Sequence, residues 1–292
     1  MSPFGAARRL AVGDVEINVA VAGSGPPLLL MHGYPENHRM WRRASADLVG
    51  RFTVVATDLR GYGDSSKPPG DPEHRAYAKR TMAADQVAVM RALGHERFLA
   101  AGHDRGARVL HRMCLDHPQA VAAAALVDII PTHTLFSNVE RGIATAYYHW
   151  FFLLQDPPLP ERLIGGAAEF FLRTTCERWS ATPGGLDPAD VDDYVRCFDE
   201  ATIHASCEDY RAAATVDFAD DEADLERRIE CPVLVLWGSR GRIGRLYDVP
   251  GTWRDKAVNL EGKALDCGHF VPEERPAETA AALAGFFAAH PC

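Results

Sequence analysis

The chain has no apolar run long enough to cross a bilayer. Its longest, near Val121 to Ile130, falls far short of the about 20 residues a spanning helix needs. It has no basic stripe either: 31 Lys and Arg face 40 Asp and Glu, a formal net charge of −9. That balance argues against nucleic acid and anionic membrane as partners. There is no C-x-x-C pair. Seven cysteines, at 114, 176, 197, 207, 231, 267 and 292, form an odd set that suits neither a zinc knuckle nor a disulfide framework. Reduced thiols and no metal are therefore expected. The first residues, Met-Ser-Pro-Phe-Gly-Ala-Ala-Arg-Arg, carry charge with no apolar core behind it, so no signal peptide is expected and the cytoplasm is the expected location. Repeats and low-complexity segments are lacking too. What is present is an ordinary globular composition, 47 % hydrophobic and 24 % charged over 292 residues. A chain of this size buries enough surface to need no covalent staple.

Short apolar runs alternate with longer amphipathic stretches, which predicts a mainly parallel α/β sheet. An initial hairpin is expected, Arg8–Val12 and Val15–Ala22 around a Gly13-Asp14 turn. Leu28–Met31, Val54–Thr57, Phe98–Ala101 and Ala124–Val127 read as buried strands, with helices over Arg80–Leu93 and Gly106–Asp116. From about residue 131 to 215 the rhythm breaks into an aromatic, helical stretch cut by Pro157-Pro158 and Pro183-Gly184-Gly185. Strands return at Val233–Trp237 and, more weakly, at Lys263–Leu265, before a last helix from Pro276 to Phe287. The expected division is one core, residues 1–132 and 217–292, split by a helical cap at 133–216.

The strongest local signal is Gly102-His103-Asp104-Arg105-Gly106, between a predicted strand and a predicted helix. A sharp strand-to-helix turn needs small residues two before and two after its apex, and it lifts the apex side chain over the sheet end. Here the apex is Asp104 where serine is usual. The plainer reading is a glycine-rich turn with a solvated aspartate, but its context favours chemistry. His32-Gly33-Tyr34-Pro35 follows an earlier strand, at the place where this architecture supplies an oxyanion-hole N–H. Gly268-His269-Phe270 follows the last strand, where a general base sits. The loop Asp58 to Ser66 reads as a structural turn. For the third member, Ser239-Arg240-Gly241-Arg242 offers no carboxylate, whereas Ala124–Val127 ends directly in Asp128. The order is then Asp104 as nucleophile, Asp128 as orienting acid and His269 as base.

An aspartate nucleophile excludes esterase and lipase chemistry. A carboxylate attacks saturated carbon, expels a leaving group and becomes an ester, which water activated by His269 cleaves. The backbone N–H groups of Tyr34 and Arg105 would hold the tetrahedral intermediate. Dehalogenation and epoxide opening remain. Arg105 and Arg108, one helical turn apart, can converge on one pocket, and two cations buried there need an anion to complete them. A small carboxylate fits, since guanidinium forks bind and orient it. Surface salt bridges are the plainer alternative for both. Neutral epoxides, with Tyr148 and Tyr210 as proton donors, would leave both arginines without a partner. A catalytically silent carboxylate-binding protein would need Asp104 and His269 to lie apart.

Here the chain resembles the fluoroacetate (haloacetate) dehalogenases of the α/β-hydrolase fold. The resemblance runs from about residue 25 to the C-terminus. It is carried by Met31-His32-Gly33-Tyr34-Pro35, by Gly102-His103-Asp104-Arg105-Gly106-Ala107-Arg108 and by Val127-Asp128-Ile129-Ile130-Pro131. Tyr148-His149-Trp150, Cys207-Glu208-Asp209-Tyr210-Arg211 and Gly268-His269-Phe270-Val271-Pro272 continue it. It implies a mostly parallel eight-stranded sheet with helices on both faces and a helical cap, a homodimer, and no cofactor. It also implies a small haloacid substrate, with Arg105 and Arg108 on its carboxylate and His149, Trp150 and Tyr210 donating to the departing halide. Trp179 matches a cap aromatic that lines the pocket. Tyr34 departs from the family's phenylalanine and adds a hydroxyl.

Overall fold

The computed structural model describes residues 3–292. Eight strands form one sheet: β1 (Arg8–Val12), β2 (Val15–Ala22), β3 (Pro27–Met31), β4 (Thr53–Thr57), β5 (Phe98–His103), β6 (Val121–Val127), β7 (Val233–Gly238) and β8 (Leu260–Leu265). Their spatial order is β1-β2-β4-β3-β5-β6-β7-β8. The hairpin β1–β2 and the β2–β4 pair are antiparallel, and every pair from β4 to β8 is parallel.

Helices α1 (Arg42–Leu48), α2 (Lys79–Ala92) and α3 (Arg105–Asp116) connect the central strands. The chain steps from β3 to β4 in one direction, then through α2 to β5 and through α3 to β6 in the other. Right-handed crossovers therefore put α1 on the face opposite α2 and α3. Consistent with this, α2 packs on α3, while α1 packs on the last helix, α15 (Pro276–Ala289).

Burial from both faces explains the strand sequences. Every residue of β5 and β6 is buried, so both read as apolar runs without alternation. β6 begins at Val121, three residues before the Ala124 expected, because its alanines carry a helix preference that sandwiching between layers overrides.

Between β6 and β7 the described residues form no strand of the sheet. They form α4 (Thr132–Ser137), α5 (Arg141–Ala146), α6 (Tyr148–Leu153), α7 (Leu159–Gly165), α8 (Ala168–Trp179), α9 (Pro188–Cys197), α10 (Glu200–Ala214) and α11 (Val216–Ala223). After β7 come α12 (Arg242–Leu246) and α13 (Val249–Trp253), and after β8 the short α14 (Val271–Glu274) precedes α15. All seven cysteines are free. Among the described residues no helix is long and apolar enough to cross a membrane.

Parallel register brings the strand ends level. Met31 pairs with Gly102, His103 with Val127, Val127 with Leu236, and Gly238 with Leu265. The loops that leave these ends carry Tyr34, Asp104, Asp128 and His269. Four segments distant in sequence therefore meet at the carboxyl edge of the sheet, where open α/β sheets bind ligands.

Candidate active site

Asp104 joins β5 to α3 with φ 43° and ψ −111°, a backbone state that costs a non-glycine residue of order 1–3 kcal/mol. Its neighbours must be bare for the turn to close. A Cβ at Gly102 would lie 2.4 Å from the Gly106 carbonyl oxygen, and one at Gly106 would lie 2.5 Å from the His32 carbonyl oxygen. The chain thus lifts Asp104 over the sheet end, where the Tyr34 N–H donates to its Oδ2 at 3.1 Å. The Arg105 N–H opens α3, and a first-turn amide has no acceptor within its own helix.

Asp128 is also left-handed, with φ 54°. This turns its carboxylate back across the sheet end: Oδ1 accepts from Gly238 N at 3.0 Å and Oδ2 lies 2.6 Å from His269 Nδ1. With Nδ1 held there, His269 Nε2 is buried and has no hydrogen-bond partner.

Burial by itself would raise the Asp104 carboxyl, but His269, Arg105 and Arg108 outweigh it and hold it below its ordinary value. The carboxylate stays ionised although only 6 % of it is exposed. Both arginines are buried, which excludes surface salt bridges. Their guanidinium groups differ in pairing. Arg105 donates to Asp209 through Nε (2.9 Å) and Nη2 (2.7 Å), and its Nη2 also donates to the Asp209 carbonyl at 3.0 Å. Its Nη1 is left without a partner. Arg108 has no carboxylate on it: Nη1 donates to Ile130 O and Thr132 Oγ1, and Nε is unpartnered. Burial, with Arg105 beside it, pulls Arg108 down to about 10. The expectation that both cations wait for an outside anion is therefore corrected for Arg105, which Asp209 already compensates.

The aromatic residues expected at the site surround these groups. Trp150 lies under both guanidinium groups, 5.3 Å from Arg105 and 4.4 Å from Arg108, and Tyr210 lies 4.2 Å from Arg105. His149 packs on Trp179 (4.4 Å) and edge-on to Tyr210 (5.8 Å). Its Nδ1 and the Tyr210 hydroxyl are buried without partners. Burial keeps His149 neutral, well below the usual histidine value, and keeps the Tyr210 phenol protonated. The Tyr34 hydroxyl is buried and unpartnered as well. A cavity of about 190 Å³ reaches this centre, with Asp104, His269, His149 and Trp179 in its wall. Arg105, Arg108, Trp150 and Tyr210 are buried beyond that wall.

Four contributors went unread in the sequence. Asp209 shows no role by its place in Cys207–Arg211, yet besides Arg105 it accepts from Tyr62 Oη (2.6 Å) and from Lys79 Nζ. Glu36 Oε2 accepts from Gly33 N (3.2 Å) and meets His103 Nδ1 (2.9 Å), while His103 Nε2 meets the His269 carbonyl (2.8 Å). Together Glu36 and His103 tie the Tyr34 turn to the His269 loop. Burial, with the Asp104 charge nearby, pushes Glu36 up to about 7 although a hydrogen bond with Glu273 and the nearby His269 pull it down. The only signal for either was adjacency, His103 inside the Gly-rich elbow and Glu36 just after Tyr34-Pro35. Tyr147, to which nothing in the sequence assigns a role, lines the cavity, and Tyr148 is instead 45 % exposed.

A model of the alpha/beta hydrolase fold matches residues 26–276. The chain is 48 % identical over 282 residues to a fluoroacetate dehalogenase of Burkholderia sp, covering 96 % of this chain and 93 % of that one. It is 32 % identical to a soluble epoxide hydrolase of Corynebacterium sp. (strain C12), covering 91 % of each. The crystal structure of an alpha/beta hydrolase from Nostoc sp PCC 7120 superposes with a TM-score of 0.96 at 53 % identity, over 97 % of this chain and 98 % of that one. An aspartate at the elbow, a histidine–aspartate pair and two buried arginines accompany this similarity, and the chain belongs to the fluoroacetate dehalogenase family of the alpha/beta hydrolase fold.

Proposed function

We propose that the protein hydrolyses haloacetate to glycolate and halide. One observation carries this reading: five buried polar atoms without a protein partner cluster around an ionised aspartate. They are Arg105 Nη1, Arg108 Nε, His149 Nδ1, Tyr210 Oη and His269 Nε2. A buried donor or acceptor left unpaired costs about 1–3 kcal/mol, so five at one place describe a ligand's outline. Two guanidinium N–H groups suit a carboxylate, and an imidazole and a phenol donor suit a halide.

In the first step Asp104 attacks the CH₂ carbon, the carbon–halogen bond breaks and an ester forms on Asp104. The halide leaves toward His149, Trp150 and Tyr210, which replace the water that fluoride in particular must lose. In the second step His269 Nε2 takes a proton from water, whose oxygen adds to the ester carbonyl. The Tyr34 and Arg105 amides hold the resulting oxyanion. Collapse releases glycolate, protonated by His269, and restores Asp104. Asp128 keeps Nε2 free to accept by holding the proton at Nδ1. Trp179 lines the passage, and residues 133–216 act as the cap that dries the site.

Epoxide opening fits less well. It leaves Arg108 uncompensated, and Tyr148, one of its two hydroxyls, faces solvent. The cap also presents exposed Leu159, Leu163 and Phe170 on α7 and α8, which favours a homodimer joined there; light scattering on the eluting peak reads that directly. The deciding assay is a halide electrode with fluoroacetate and chloroacetate, with styrene oxide as control. His269→Ala should release at most one halide per site and keep a glycolyl ester on Asp104, seen by mass spectrometry of the mapped peptide. Neither burst nor adduct, with the fold intact, would overturn the covalent route.

A further inference from the structure

The wall of the cavity is unusually cationic. Arg178, Arg240, Arg242 and Arg245 all line it, and Asp104 is its sole carboxylate. Arg240 already faces Asp266 at 2.9 Å. The side chains of the other three, Arg242 half-buried and Arg178 and Arg245 exposed, make no ion pair or hydrogen bond among the described residues, although many arginines elsewhere do, Arg42, Arg60, Arg112 and Arg196 among them. In a chain of net charge −9, three unpaired cations on one wall need a reason.

Their placement supplies one. Arg178 lies in the last turn of α8, while Arg242 and Arg245 lie one turn apart on α12, so cap and core each contribute to the rim. The Arg242 guanidinium sits 5.5 Å from the Trp179 ring centroid. Stacking of this kind offsets desolvation through the ring face and leaves the in-plane N–H donors open to an anion. Trp179 also packs against His149 at 4.4 Å and His269 at 5.3 Å. Arg242 is thus one indole away from the reacting centre. Burial lowers Arg242, and Arg178 nearby lowers it further, a repulsion that a bound anion would relieve.

We propose that Arg178, Arg242 and Arg245 form an outer anion station that captures the haloacid carboxylate at the cavity mouth before it passes to Arg105 and Arg108. This rests on the haloacetate reading above. The station concentrates a small anion against the repulsion of the acidic surface, so it acts on capture and leaves the chemical step alone.

The test is the triple variant R178Q/R242Q/R245Q beside the triple lysine variant. At low ionic strength the glutamine variant should raise KM for chloroacetate about tenfold with kcat held, since focused fields of this kind change local ligand concentration by at least that factor. The gap should close toward unity at about 0.3 M salt, where screening acts within several ångströms. Neutral chloroacetamide should show no change, and the lysines should restore most of the loss. An unchanged KM, a salt-insensitive loss, or equal losses for chloroacetate and chloroacetamide would overturn the station. Should the wild type release no halide from any haloacetate, the dehalogenase reading falls instead. Calorimetric binding of acetate to the same variants then decides the station: affinity that falls with the charge supports it, and unchanged affinity overturns it.

Discussion

Removing the Asp209 charge should destabilise the protein severely, out of proportion to the single-atom change. In Asp209→Asn the side chain keeps its shape, but fully buried Arg105 exchanges two charged carboxylate contacts, at 2.7 and 2.9 Å, for at most one neutral amide oxygen. An amide NH₂ would also face Arg105 or Lys79. Lys79 retains Asp217 at 3.3 Å, whereas Arg105 has no second carboxylate. Taking the two charge centres as about 4 Å apart, Coulomb attraction is about 4 kcal/mol for an effective dielectric constant of 20. Breaking one side of a buried pair costs about 3–5 kcal/mol by experience with such pairs. Against a total stability of roughly 5–15 kcal/mol, that is a large fraction. Urea unfolding followed by fluorescence reads it as a lower midpoint at constant slope. The companion is Arg105→Met/Asp209→Leu, which removes both charges and should recover at least about 2 kcal/mol relative to the sum of the single changes. A cost below about 1 kcal/mol for Asp209→Asn, or strict additivity in the double variant, would refute the claim that Asp209 is the counterion that lets Arg105 be buried.

Asp104→Asn should abolish halide release while leaving unfolding nearly unchanged, because a carboxamide is a far weaker nucleophile; wild-type release without deamidation at that position would count against it. Arg108→Leu should lower kcat/KM for chloroacetate by tenfold or more, since a charged hydrogen bond is worth about 1.5–3 kcal/mol, and should spare chloroacetamide; equal losses would show that Arg108 does not read the carboxylate. Acid sensitivity should trace partly to His111, which burial lowers to about 4. The unfolded chain takes up a proton near pH 6.5 that the folded chain refuses until pH 4. Stability present above 6.5 is therefore lost as pH falls through that window, on the order of 3 kcal/mol in all. Glu36, raised to about 7, works in the opposite sense over part of the window, so the readout is the difference between wild type and His111→Gln. A difference flat from pH 7 to 4 would exclude His111.

Much of the sheet was legible because parallel strands buried on both faces write themselves as short apolar runs. The initial hairpin and the ends of β5, β6 and β7 fall where those runs begin or stop, within a few residues. β8 was the weakest reading: four of its six residues, Glu261 to Ala264, are exposed, so no apolar pattern marks it. β6 was shortened by its own alanines, whose helix preference competes with burial.

For the site, the sequence by itself determined the kinds of group available and the sharp turn that raises Asp104. The glycine pattern of that turn is written locally, although only Gly102 would collide within the turn itself; a Cβ at Gly106 would meet the His32 carbonyl at the end of the neighbouring strand β3. The pairing of charges is a different matter. Asp209 is 104 residues from Arg105, and Glu36 is 67 from His103. Nothing in the spacing of such residues says which cation a carboxylate will compensate. Only the tertiary structure decided that Arg105 has its counterion inside the protein while Arg108 has none, and that Tyr147, not Tyr148, faces the cavity. The physical reason is range: backbone sterics act between neighbours in the chain, whereas desolvation and Coulomb energy depend on what the folded chain packs beside a group.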